Sequence, residues 1–309
     1  MKKIVILLVV ALVSGCSYLR QDSDKTIAEM EDTIRNLQEG GARHIAQIDQ
    51  LQAEIAQLQE DDRGQMPPGD IQKPGSSKKT GWRGLYEARF GSQSATVTEL
   101  AMKRGAMMTL VKLGEGSEYY DEDVLLAMRV IPMELFCPDD QLDKVYGNLP
   151  IPIGFEETIS QPELTVLMMT VLQVKRGDKV LEVKTASGYQ TALLAQMGAE
   201  VYSLETDRAL GRALAPTLNG LGFDNLHYVV GGDGYLGLPE TGPYDRIIVT
   251  AAYPEMPEAI LEQLKPGGRC VAPVGAEIES QSLMLYTRTL TGELETVELL
   301  PVAFGAMPR

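Results

Sequence analysis

From residue 179 onward the chain alternates short β-rich runs with helical stretches, and this alternation restricts the fold more than any other feature of the sequence. "KVLEV" is followed by the helical "GYQTALLAQMG" and then by the β-rich "EVYSLE". "ALGRALAPTLNGLG" is again helical, though interrupted by Pro216, and leads into the strand-like "LHYVVGGDG". "YDRIIVTAA" is almost wholly apolar, as a strand buried on both faces must be. "PEAILEQLKPGG" predicts a further helix ending in glycines, and "RCVAPVG" a further strand. Repeated βα units imply a parallel sheet covered on both faces, so the expected fold class is α/β with a doubly wound sheet.

In such sheets ligands sit outside the carboxyl ends of the strands, where the strand order reverses. The exit of the first strand, "EVKTASGYQ", is therefore the expected site, with Glu182, Thr185, Ser187 and Gly188 as candidate binding residues. Glu205 ends the second strand about 20 residues past the turn, the spacing at which a carboxylate reaches ribose hydroxyls. Asp233, followed by Gly234 in "GGDGYLG", is placed to accept a hydrogen bond from an adenine amine. Acids and glycines at strand ends often do no more than cap helices or make turns. Together, in order and at successive strand exits, these point to a nucleoside.

The N-terminal part of the chain has a different character. "MKKIVILLVVALVSGC" places two lysines, a short apolar run and small residues before Cys16, the layout of a secretory signal peptide over residues 1–15. The run is shorter than the roughly 20 apolar residues of a membrane-spanning helix. "VSGC" resembles the lipobox of bacterial lipoproteins, which implies acylation of Cys16, a tether without a span, and, with Ser17 next, the outer membrane facing the periplasm. Within residues 16–60, Ile27, Ile34, Ile48 and Ile55 recur at one heptad position, and Met30, Leu37, Leu51 and Leu58 at the other. That is the seam of a coiled-coil helix, and isoleucine at a with leucine at d favours a parallel two-stranded assembly, so a homodimer or other small parallel oligomer is expected. Gly41 and His44 interrupt the middle heptad, and no second ligand stands at helical spacing from His44, so no metal site is read there. A single amphipathic helix is the alternative for the segment. Residues 61–81 are rich in Pro, Gly, Ser and charge and read as a flexible linker. The folded body is expected over residues 82–309.

A net charge of −15 excludes a nucleic-acid partner, whose phosphates the chain would repel. Cys137 and Cys270 each lie in an apolar stretch and read as buried free thiols, although an exported compartment would permit a disulfide between them.

"PIGFEETISQPELTVLMM", "GDKVLEVKTASGYQTALLA" and "GPYDRIIVTAAYPEMPEAILEQLKPGGRCVAPVG" resemble the protein-L-isoaspartate O-methyltransferase family in order and in near-family spacing. "DEDVLLAMRVIPMELFCP" is similar to that family's N-terminal helix and the strand-like segment after it, so the likeness covers about residues 118 to 304. The resemblance implies a Rossmann-like methyltransferase sheet, S-adenosylmethionine as cofactor, and isoaspartyl-containing proteins as partners. It also implies the reaction: methylation of the isoaspartyl carboxylate, so that the ester closes to a succinimide and reopens partly as normal aspartate. Ser160 matches the family's active-site serine in "TIS", and Thr158 stands beside it to hold the substrate carboxylate. From the residues alone, the favoured reading of both hydroxyls is as caps for the helix that follows.

The family loop runs Gly-Thr-Gly-Ser-Gly where this chain has Lys184, Thr185, Ala186, Ser187 and Gly188. An unpaired ammonium about 4 Å from a sulfonium would cost on the order of 4 kcal/mol at a surface-like dielectric. "GFEETIS" places two acids before the active-site serine, and the closing "VAFGAMPR" departs from the family pattern. S-adenosylmethionine is moreover made in the cytosol. Two functions follow from these features: an envelope-anchored methyltransferase, or a catalytically degenerate binding and scaffold lipoprotein on the same fold.

Overall fold

The computed structural model describes residues 81–91, 95–113, 120–276 and 278–308. The signal peptide, Cys16, the heptad segment and most of the linker lie outside the described residues. Three helices lead into the body: α1 (Gly81–Phe90), α2 (Ala95–Leu113) and α3 (Glu122–Val130). The Asp121 carboxylate accepts the N–H groups of Asp123 and Val124, which starts α3 at that residue by satisfying donors the first turn leaves open.

The segment after α3, expected to be strand-like, is a buried 3₁₀ turn over Met133–Phe136. Its carbonyls go to a guanidinium instead of a neighbouring strand: Arg89 of α1 donates to the oxygens of Glu134, Leu135 and Cys137. The Glu134 carboxylate is fully buried. It receives Arg104 of α2 at 2.9 Å, the Tyr86 hydroxyl of α1 at 3.0 Å and the Tyr146 hydroxyl. One buried anion thus fastens two lead-in helices to the body.

A short hairpin follows, β1 (Ile151–Gly154) paired antiparallel with β2 (Glu157–Ile159), and then α4 (Pro162–Leu172). The main sheet comprises β3 (Lys179–Val183), β4 (Glu200–Glu205), β5 (Leu226–Val230), β6 (Tyr244–Val249), β7 (Leu264–Val274), β8 (Ser282–Arg288) and β9 (Leu294–Pro301). Helices α5 (Tyr189–Gln196), α6 (Arg208–Gly220) and α7 (Glu258–Leu261) connect them. The strand order is β5-β4-β3-β6-β7-β8-β9. Pairing is parallel from β5 to β7, and the last two strands return antiparallel. The α/β class is as expected, and the sheet is mixed where an all-parallel one was read. The apolar residues of the central strands alternate between two cores. Val180 joins one, while Leu181 and Val183 join the other, as a doubly covered strand requires.

Two further expectations change. Pro216 lies inside a continuous α6. The helix read over "PEAILEQLKPGG" ends at Leu261, and β7 already begins at Leu264 and runs through Pro266 and the two glycines, with a register shift against β6. A bulged strand tolerates the proline there. Cys137 and Cys270 are buried free thiols, as read, and burial pushes the Cys137 thiol up to about 11.

Candidate functional site

The sheet order reverses between β3 and β6, so the crevice at the carboxyl end of β3 is where the topology places a ligand. Leaving β3, the N–H groups of Lys184 and Thr185 both reach the Leu204 carbonyl, at 2.8 and 3.2 Å. Gly188 N–H returns to the Thr185 carbonyl at 3.1 Å, and α5 starts at the next residue. The backbone is left-handed at three alternate positions, with φ of 73° at Lys184, 50° at Ala186 and 81° at Gly188. These are the positions that hold glycine in the motif the loop resembles. The turn therefore keeps a glycine-shaped path although two of its residues carry side chains, at a cost of roughly 1–2 kcal/mol each.

The expected binding residues divide into those that face the crevice and those turned inward. Glu182 is fully buried: its Oε2 accepts Thr191 of α5 at 2.5 Å and Ser203 of β4 at 2.6 Å, while Oε1 has no partner. Burial pushes its carboxyl up to about 7, against the lowering effect of those two hydroxyls, and nearby Glu205 adds to the rise. Thr185 lies 2.7 Å from the Ser203 hydroxyl, and Ser187 accepts the Tyr189 N–H at 3.2 Å. Glu182 and Thr185 tie β3 and the loop to β4 and α5, while Ser187 bonds only within its own turn. Gln190, in the first turn of α5, is also buried, and its amide nitrogen has no partner.

Glu205 stands at the tip of β4 as expected and is fully buried. The chain itself occupies both of its oxygens. Oε1 accepts the Lys184 ammonium at 2.7 Å and the Asp207 N–H at 2.9 Å, and Oε2 accepts the Ala186 N–H at 2.9 Å. Lys184 Nζ also lies 2.8 Å from Glu157 Oε1, at the start of β2. The Lys184 side chain is 3% exposed. Burial works to lower its pKa, but the bonds to Glu157 and Glu205 outweigh that and hold it above the ordinary lysine value. Two carboxylates and one ammonium leave this cluster at a net charge of −1, so the repulsion that an unpaired ammonium would bring is not what the fold presents. Glu157 is in turn a matched charge, and of the two acids in "GFEETIS" Glu156 is the exposed one, with no ion pair among the described residues.

Asp233 is exposed, and its carboxylate caps its own turn through the Tyr235 N–H at 2.8 Å. Gly234 is packed: its carbonyl accepts the Tyr253 hydroxyl at 2.5 Å, and a methyl group on it would collide with the Met307 sulfur. The closing segment reaches Met307 by crossing the exit of β6, with Ala252 N–H bonded to Gly305 and Met307 N–H to Ala252, both at 2.8 Å. The departure of "VAFGAMPR" from the family pattern thus places a thioether between the turns that follow β4 and β5. Thr158 is exposed and Ser160 half-buried at the end of the hairpin. The N-cap of α4 is Gln161, which makes no side-chain capping bond, so neither Thr158 nor Ser160 is that helix's cap residue.

Sequence reasoning missed Glu157 as a partner of the cofactor loop, and Met307 altogether. An unmatched lysine in the loop was the available signal for the first, because a buried ammonium needs a carboxylate. Met307 lay in a segment read only as a departure.

A family model described as protein-L-isoaspartate(D-aspartate) O-methyltransferase matches residues 105–307. The chain is similar to protein-L-isoaspartate O-methyltransferase 2 of Polaromonas sp., 43% identical over 199 residues that cover 64% of this chain and 94% of the relative. It is also similar to protein-L-isoaspartate O-methyltransferase 1 of Nitrosospira multiformis, 40% identical over 209 residues, 68% of this chain and 88% of the relative. A solved protein-L-isoaspartate O-methyltransferase superposes with a TM-score of 0.59 at 29% identity, covering 67% of this chain and 66% of that one. A putative enzyme of the same name from Plasmodium falciparum, solved with S-adenosyl-L-homocysteine, shares the fold at a TM-score of 0.56 and 23% identity, over 65% of this chain and 97% of that one.

Proposed function

The chain belongs to the protein-L-isoaspartate O-methyltransferase family, and from that premise we propose that it methylates the free carboxylate of L-isoaspartyl residues in proteins, with S-adenosylmethionine as the methyl donor. The observation that carries this reading is the turn at 184–188, which keeps its left-handed path beneath Glu205 even with side chains at Lys184 and Ala186. The scaffold alternative has no comparable support.

The residues present fit the cofactor at three points. The turn and the start of α5 form the cradle, with the unpartnered Gln190 amide beside it. Glu205 would take the ribose hydroxyls in exchange for one of the chain's own donors, and Asp233 would take the adenine amine. When bound, S-adenosylmethionine supplies a methyl group made electrophilic by its sulfonium.

The remaining work is alignment. A carboxylate is already an adequate nucleophile at neutral pH, so the site needs positioning and exclusion of water more than a strong base. Thr158 and Ser160 offer hydroxyl donors that hold an anion without introducing a competing charge. The net −1 of the Glu157, Lys184 and Glu205 cluster suits a cationic cofactor. Methyl release from an isoaspartyl peptide is expected to fall at least 100-fold in Ser160→Ala, with the melting temperature unchanged. Equal activity in that variant would remove Ser160 from the site, and no methyl release from the unaltered protein would overturn the function.

The same reading holds the protein at the cell envelope through acylated Cys16, supported by the "VSGC" motif and the apolar run before it. Cys16→Ser is expected to move the protein from the membrane pellet to the soluble extract of the host cell. Retention in the pellet would argue for a different anchor.

A further inference from the structure

The loop lysine combines two costs that a glycine would avoid: a left-handed backbone under a side chain, and an ammonium taken out of water. Both are tolerated because Lys184 is gripped from two sides. Glu205 Oε1 at 2.7 Å belongs to the tip of β4, and Glu157 Oε1 at 2.8 Å belongs to the hairpin that carries Thr158 and Ser160. The carboxylate assigned to the ribose is therefore already bonded, and the bond runs on to the segment assigned to the substrate.

Accepting the methyltransferase reading above, we propose that Lys184 is a positioning residue that latches the β1–β2 hairpin to the tip of β4, and that cofactor binding requires the ammonium to give up Glu205 while it keeps Glu157. Lys184 thereby lowers affinity for the nucleoside and holds the substrate hydroxyls in place. A ribose diol exchanges one partner of Glu205 for another, so the gain on binding is the difference between two hydrogen-bonded states instead of a whole new contact. With a glycine at 184 the diol would meet a carboxylate bonded only to two backbone N–H groups and, at 3.5 Å, the Thr206 hydroxyl, over a turn of the same shape. Glu157 would then lose its cation, and the hairpin would lose its attachment.

The test uses the full-length protein, S-adenosylhomocysteine as the probe, and two substitutions that separate the halves of the latch. Calorimetry is expected to show at least tenfold tighter S-adenosylhomocysteine binding in Lys184→Gly than in the unaltered protein. Glu157→Gln takes away the carboxylate that the ammonium keeps when it leaves Glu205, so this variant should bind the probe at least threefold more weakly than the unaltered protein, with KM for an isoaspartyl peptide raised at least fivefold. A purely structural lysine would weaken binding when removed, so tighter binding is an outcome that role does not produce. Equal or weaker probe binding in Lys184→Gly overturns the latch, as does an absence of binding in both proteins. If Lys184→Gly does not fold, an unchanged peptide KM in Glu157→Gln overturns it. Methyl transfer is read separately. Transfer to the peptide with no change in probe affinity sinks the latch and leaves the function standing, whereas tightened probe binding with no transfer by any variant sinks the function and leaves the latch.

Discussion

Glu134→Gln is expected to destabilise the protein by about 3–5 kcal/mol, because it leaves the Arg104 guanidinium in the interior without its counter-charge. The Glu134 side chain is fully buried and that of Arg104 is 16% exposed, so water can replace little of what is lost. The Tyr86 and Tyr146 hydroxyls lose the same charged acceptor. For a body of this size the melting temperature should fall by roughly 10 °C in scanning calorimetry. Replacing both partners, as in Glu134→Leu with Arg104→Met, should recover much of the loss, because an apolar pair leaves no unmatched charge. A single substitution that melts within about 2 °C of the unaltered protein would show that solvent already reaches the pair.

The second large effect concerns pH. Burial raises the Glu182 carboxyl to about 7 in the folded protein from an ordinary 4.5, despite the hydroxyls of Ser203 and Thr191. Between those values the folded chain holds a proton that the unfolded chain has released, so stability must fall as pH rises through the window and level off above it. The carboxyl's contribution is most favourable below 4.5, and the loss across the window amounts to about 3 kcal/mol. Glu182→Gln keeps the shape and removes the proton exchange. Urea midpoints of the unaltered protein and the variant should lie close at pH 5 and diverge in the variant's favour by pH 8. Parallel midpoint curves for the two proteins would contradict this.

Much of the body was legible because its strands announce themselves chemically. "KVLEV" and "YDRIIV" are buried on both faces, which only a doubly covered parallel strand requires, and Glu205 follows from spacing along one βα unit. The 3₁₀ turn at Met133–Phe136 was read as strand-like since its apolar content matches one. Its conformation depends on Arg89, more than 40 positions earlier, which takes up the carbonyls. The early start of β7 was hidden by proline and glycines that normally end elements. The loop lysine was visible, but its meaning was not: Glu157 lies 27 residues upstream and reaches Lys184 only through the hairpin. Glu182 looked like a crevice residue by position, yet the two-residue period of β3 turns it toward Thr191 and the interior.

Among the described residues the outermost strand, β9, leaves one border of the sheet without a neighbour, and such a border can template pairing with another molecule. Glu295 and Glu298 stand exposed along it, and Pro301 closes it without an N–H to offer. Two copies approaching border to border would set these carboxylates against one another, on bodies that are already acidic. At neutral pH this border therefore resists pairing with the same border of a second copy.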